Sequence, residues 1–283
     1  MWQAQTTRLR GEQGRNRVFT SSPSCIHALL RPSPESPPAP RTRRGRPLRD
    51  QFHEDLDTIT DQLVELTRLA GSAISRATTA LLDADVQLAE SVIEADKQLD
   101  EIRISLDNLS INLLARQQPV ATDLRIVVTA MHMSSDLERM GDLARHVAKV
   151  ARLRTPESAV PPQLRSHILQ MGQVAEAIVA KCGSIIASKD VEAAAALDKD
   201  DDAMDELHRE LFAVLLDEER DLHRSTVLDL ALIGRYYERF ADHAVSVARR
   251  VVYLVTGEYD SEVSYDHEEV EDADVIAEIE RNS

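Results

Sequence analysis

The sequence predicts an all-α protein made of two tandem three-helix bundles, six long helices in all. Three observations carry that prediction. Aromatic residues make up 4% of the chain and only nine of its 283 residues are Gly. Ala, Leu, Val, Asp, Glu and Arg dominate instead, which suits long helices and suits a sheet poorly. From about Gln51 to Gly257, apolar residues recur three and four apart almost without interruption, the period of an amphipathic helix. The chain also repeats itself. DLERMGDLARHVAKVARL (136–153) and YYERFADHAVSVARRVVY (236–253) share the skeleton E-R-x-x-D-x-A-x-x-V-A. DADVQLAESVIEADKQLDEI (83–102) resembles SKDVEAAAALDKDDDAMDEL (188–207). Two copies of a helical unit follow from that duplication.

Residues 1–47 contain seven of the eleven prolines, show no apolar periodicity, and include the low-complexity run SPESPPAP from Ser33 to Pro40. This composition predicts a disordered Arg/Pro-rich leader. A transit peptide and a basic tail for a membrane or nucleic acid are competing readings. The preferred one places the native start near Leu48, so that LRDQFHEDLDTI begins the protein. Helix 1 is expected from about Phe52 to Leu82. Asp85 is placed to cap helix 2, which runs to about Arg116. QQPVAT is a turn, with Thr122 capping helix 3 to about Leu153. TPESAVPP holds three prolines and marks the boundary between the units, 48–155 and 156–257. Helix 4 is expected from about Gln163 to Ser188. Asp190 caps helix 5, to about Glu219. Helix 6 starts near Ser225 and stops before Gly257, a good residue for the left-handed turn after a helix. The segment 258–283 has eleven acids and one Arg and is expected to be a solvated, disordered tail.

Charge narrows the function. The whole chain carries −16, and residues 1–49, with ten Arg and two Glu, carry +8. The remaining body therefore carries −24. Such a surface argues against nucleic-acid binding, which needs basic groups for phosphates. It favours cations and basic partners. The two cysteines, Cys25 and Cys182, are far apart and form no CxxC, so a reducing compartment fits. No apolar run reaches the roughly 18 residues of a membrane span, and no secretory signal pattern begins the chain. The expectation is a soluble, cytoplasmic protein. No P-loop, GxSxG or His-Glu-x-x-His occurs, nor any Glu-x-x-His of the ferritin type. Enzyme function therefore has little support.

Four acid pairs share one spacing: Asp96/Asp100, Glu138/Asp142, Asp201/Asp205 and Glu238/Asp242. Residues four apart share a helix face, with Cβ atoms about 5–6 Å apart. Like charges so placed weaken a helix by a few tenths of a kcal/mol. A cation or neighbouring basic side chains must offset them. An antiparallel hairpin keeps the sum of facing residue numbers constant. Asp96 with Asp142, and Asp100 with Glu138, both sum to 238, which centres the turn on Pro119. Asp201 with Asp242, and Asp205 with Glu238, both sum to 443, which centres it in the break before Ser225. Each unit would thus bring four carboxylates to one level. His146 extends the first set by one turn, where the second has Ser246. Hard or borderline cations such as Mg, Mn, Ca or Fe suit these donors, and His146 adds Zn. A merely solvated acidic face is the alternative. Arg139 and Arg239, each following the Glu, are read as structural ion pairs. His208, three residues after Asp205, and the pair Tyr236 and Tyr237 are read as packing residues.

The segments EADKQLDEI, QPVATDLRIVVTAMHMSSDLERMGDLARHVAKVAR, KDDDAMDELHRELFAVL and LIGRYYERFADHAVSVARRVVY, in that order, resemble the PhoU family of phosphate-transport and phosphate-signalling regulators. The match spans about Leu48 to Gly257, and FHEDLDTI looks like the usual start of such proteins. The resemblance implies a cytoplasmic, often dimeric protein that binds multinuclear metal clusters through paired E/D-x-x-x-D motifs. Those motif positions fall on Asp96, Asp100, Glu138, Asp142, Asp201, Asp205, Glu238 and Asp242. His146 fits the Asn or His often found one turn after the motif Asp, and Ser246 departs from it. Fe, Mn, Zn and Mg are the metals in question. The implied partners are the ATPase of a phosphate ABC transporter and a membrane sensor histidine kinase, with any membrane contact made through them. The implied role is to hold down the phosphate-starvation response when phosphate is ample. Two readings from other classes stand beside it: a metal-dependent hydrolase or oxidase using the same carboxylates, and a helical scaffold without metal.

Overall fold

The computed structural model describes residues 48–258, apart from 218 and 221. The Arg/Pro-rich leader and the acidic tail beyond residue 258 lie outside the described residues. Six long α-helices follow one another: α1 (Leu48–Asp83), α2 (Val86–Gln117), α3 (Thr122–Arg154), α4 (Arg165–Ser188), α5 (Val191–Leu216) and α6 (Arg224–Thr256). Among the described residues there is no strand, and no helix is long and apolar enough to cross a membrane.

Local chemistry explains most of the boundaries. The Asp85 carboxylate accepts a hydrogen bond from the Leu88 amide at 3.0 Å, and that of Asp190 accepts from Glu192 and Ala193 at 3.0 Å each. Each satisfies amide donors that a helix start leaves orphaned. Gly257 closes α6 at φ +80°, and its amide donates to the Tyr253 carbonyl. Three expected ends differ. Thr122 is the first residue of α3 and not its cap, and Ala121 precedes it without any side-chain cap. Helix α5 stops at Leu216 and not near Glu219, because the Asp217 carboxylate takes the Glu219 amide and the Arg220 guanidinium and so favours a turn. A 3-10 turn, Pro162–Leu164, precedes α4, which begins at Arg165. The cap of α6 is His223, whose Nδ1 accepts from the Ser225 amide.

Helix α1 packs against α2, α3 and α4, and α6 packs against α3, α4 and α5. The two copies meet along counterpart helices. On α1 and α4, Gly71 lies against Val179 and Thr78 against Gly172. Both pairs sum to 250, so these helices run antiparallel. On α3 and α6, His146 lies against Tyr236 and Arg154 against Asp229, again antiparallel. Counterpart helices that cross antiparallel are what a two-fold relation between the repeats requires. Gly172 makes the α1–α4 approach possible: a Cβ there would sit 2.6 Å from both Cγ2 and Oγ1 of Thr78. Thr78 is itself held by Tyr237, whose hydroxyl is 2.6 Å away. The core is mostly aliphatic, with Leu63, Leu66, Ile74, Leu81, Met133, Leu137 and Met140 fully buried beside the aromatic Tyr237 and Phe240. Helices α2 and α5 take the outer positions, and their seams with α3 and α6 carry the acid pairs.

Candidate functional site

Asp96 and Asp100 stand on α2; Glu138, Asp142 and His146 stand on α3. The helices approach closely here because α3 has Gly141 at the crossing. A Cβ on Gly141 would meet Leu99 Cδ2 at 2.8 Å and Asp96 Oδ1 at 3.5 Å. The pair Gly141 and Leu99 sums to 240, and the ion pair Arg145 and Asp96 to 241. The hairpin therefore runs within three residues of the register read from the sequence. Asp96 is only 7% exposed, and Asp100, Glu138 and Asp142 are half-buried.

The four carboxylates feel one another. Burial pushes the Asp96 carboxyl above its ordinary range, Arg145 opposes this, and Asp142 and Asp100 push it further up. Burial and then Asp142 raise Glu138, against Arg139 and Arg103, with Asp100 adding to the rise. Both acids are thus under-compensated by positive charge. His146 is held below its usual value by burial first and by Lys149 and Arg145 next, while Asp142 pulls the other way. Its ring turns toward α6 and lies 5.2 Å, centroid to centroid, from Tyr236.

The sequence reading did not single out Arg145. Its guanidinium bridges the site: Nη1 donates to Asp96 Oδ2 at 2.5 Å and Nη2 donates to Asp142 Oδ1. One signal pointed to it: position 145 follows Asp142 by three, the spacing of a same-face helix pair. The register read from the sequence sets position 145 opposite Ile93, and the shift of three residues seen in the structure is what brings it to Asp96. Arg139 also donates to Asp142, at 3.2 Å, from an exposed position, and is an ordinary surface ion pair.

In the second copy, Asp201 and Asp205 are half-buried on α5, Glu238 is only 2% exposed on α6, and Asp242 is exposed. Arg235 Nη1 donates to Glu238 Oε1 at 2.5 Å, a partner the sequence reading also missed. Gly234 of α6 packs on Leu211 and His208 of α5, the latter edge-on to Phe212, so His208 is a packing residue. Tyr237 is fully buried and Tyr236 covers His146.

For a cation, the donor chemistry of the first set fits: four hard oxygen donors on two rigid helices, two of them short of compensating charge. The side chains as they stand do not converge. Among the described residues, no three His, Cys, Asp or Glu groups are arranged to hold a metal ion. In the first set, the Arg145 guanidinium occupies the place between Asp96 and Asp142 and acts as the stand-in cation.

A family model for the PhoU domain matches twice, over residues 63–151 and 168–251. A Mycobacterium tuberculosis protein named phosphate-specific transport system accessory protein PhoU homolog 2 is 44% identical over 212 residues, covering 75% of this chain and all of that protein. The crystal structure of PhoU from Pseudomonas aeruginosa superimposes with a TM-score of 0.66 at 31% identity, over 74% of this chain and 100% of that one. The phosphate transport system regulatory protein PhoU from Streptococcus pneumoniae gives 0.68 at 27% identity, over 74% of this chain and 99% of that one.

Proposed function

The chain belongs to the PhoU family, and from that premise we propose that it is an accessory and regulatory protein of a phosphate transport system. In this reading it works in the cytoplasm as a homodimer and catalyses no reaction. It couples the ATPase of a phosphate ABC transporter to a membrane sensor histidine kinase and restrains the phosphate-starvation response. Restraint of this kind needs the protein to bind one partner conformation better than another, since only differential affinity shifts a population. The observation that carries the reading is the duplicated PhoU domain over most of the helical body, with 44% identity to a named phosphate-transport accessory protein. Deleting the gene tests it. Phosphatase genes should be expressed in high phosphate. Because relatives named homolog 1 and homolog 2 occur in one organism, any second family gene must be deleted as well. Repression that survives both deletions overturns the reading.

The same proposal makes the two carboxylate sets divalent- or trivalent-cation sites, with Fe, Mn, Zn or Mg as the candidates. Asp96, Asp100, Glu138 and Asp142, with His146 beside them, would hold the first. Asp201, Asp205, Glu238 and Asp242 would hold the second. A bound cation would supply the positive charge that Asp96 and Glu138 lack and lock α2 to α3. The Arg145 bridge is the observation that favours a second reading, a scaffold whose acids are neutralised by arginines alone. Metal analysis after mild purification separates the two. Bound metal that is lost in Asp142→Ala and Asp242→Ala supports the cation sites, and metal-free protein with unchanged melting supports the scaffold.

A further inference from the structure

We propose that Arg145 is a built-in counter-cation of the first carboxylate set, one that a metal ion must displace, so that Arg145 sets this site's cation affinity. The inference rests on the cation-site reading above. Three observations carry it. The guanidinium is placed between two helices and reaches a carboxylate on each, Asp96 of α2 at 2.5 Å and Asp142 of α3. Asp96 is buried, and a buried carboxylate needs a paired charge to be tolerated. The duplication itself supplies a control. Position 145 of the first copy corresponds to Val245 of the second, which is 5% exposed and carries no charge. The arginine is therefore no requirement of the α3/α6 helix pattern; it is particular to the first set.

The physical consequence is competition. A planar fork that spans two carboxylates occupies oxygens that a hard cation would use. A cation entering among Asp96, Asp100, Glu138 and Asp142 has to break both Arg145 contacts, and the freed side chain is long enough to turn to solvent, being already 27% exposed. In the absence of cation, Arg145 keeps α2 and α3 together. Site occupancy then exchanges one cross-helix clamp for another, and Arg145 lies released when the site is filled.

Calorimetric titration with Mn2+ tests this in the full chain, in an Asp205→Asn, Asp242→Asn background that removes donors of the second set. Arg145→Gln should bind Mn2+ at least tenfold more tightly than its parent. In EDTA it should melt lower than the parent, and Mn2+ should raise its melting temperature more. Arg145→Lys keeps the charge but cannot span both carboxylates, and its affinity should fall between the two; this variant carries the test if Arg145→Gln does not fold. Equal or weaker Mn2+ binding by the variants overturns the counter-cation role and leaves the cation site standing. Absence of Mn2+ binding in parent and variants alike removes the cation site and this inference with it.

Discussion

Glu138 shows what the site costs its own residues. Burial, then the charge of Asp142, hold its carboxyl above the ordinary range, so the folded protein binds a proton there more tightly than the unfolded chain does. The stabilising contribution of that group is therefore complete below the unfolded value of 4.5 and is lost as pH rises through the higher folded value. At neutral pH without added cation, Glu138→Gln should raise the melting temperature, by relief worth about 0.2–0.5 kcal/mol for a like-charge pair one turn apart. The advantage should vanish below pH 4.5, and thermal melts of variant and parent across pH check it. Cys182 offers a second test at this scale. It is fully buried, and burial first, with Asp136 adding to it, pushes its thiol up to about 12. In a Cys25→Ser variant, a thiol reagent at neutral pH should leave Cys182 unmodified until denaturant unfolds the chain. The acids were legible in the sequence because i,i+4 spacing and hairpin register are simple arithmetic. Arg145 was not singled out because its contact with Asp96 crosses the seam, where spacing on one helix names no partner; Arg235 was missed although its spacing of three from Glu238 on α6 was legible.

The elements were legible where local chemistry decides them. Asp85 and Asp190 are caps in the sequence and caps in the structure, since a carboxylate and one or two of the following amides suffice. Thr122 and the end of α5 misled, because the neighbouring turn geometry and the Asp217 carboxylate decide those ends. Replacing Asp190 by Ala should cost about 0.5–2 kcal/mol of stability, measured by chemical denaturation. Gly172 reads as a weak point in a helix, yet it is the place where α4 lies against Thr78 of α1. Gly172→Ala should cost about 1–3 kcal/mol, because Thr78 is tied to Tyr237 and cannot readily yield. A variant as stable as the parent would show that the helices part without penalty.

At the scale of the whole molecule, the duplication was legible as repeated words, but the contact between the copies was not. Nothing in helical periodicity says that α1 lies on α4 and α3 on α6. That arrangement comes from small residues such as Gly71 and Gly172, and from pairs such as Asp136 with His243 and Arg250, which join α3 to α6. Because so much of the core lies between the copies, the helical body should unfold in one calorimetric transition, and two resolved transitions would contradict this. The same packing places the two carboxylate sets on separate outer seams, where the proposed cations would enter or leave without dismantling the core. Anomalous diffraction at the manganese edge, from crystals of the full chain soaked in Mn2+, tests the central claim of a cation-binding regulator most directly. The account predicts density among Asp96, Asp100, Glu138 and Asp142 with Arg145 turned away, and among Asp201, Asp205, Glu238 and Asp242. Crystals with no anomalous density at either set, and Arg145 still bridging Asp96 and Asp142, would contradict it.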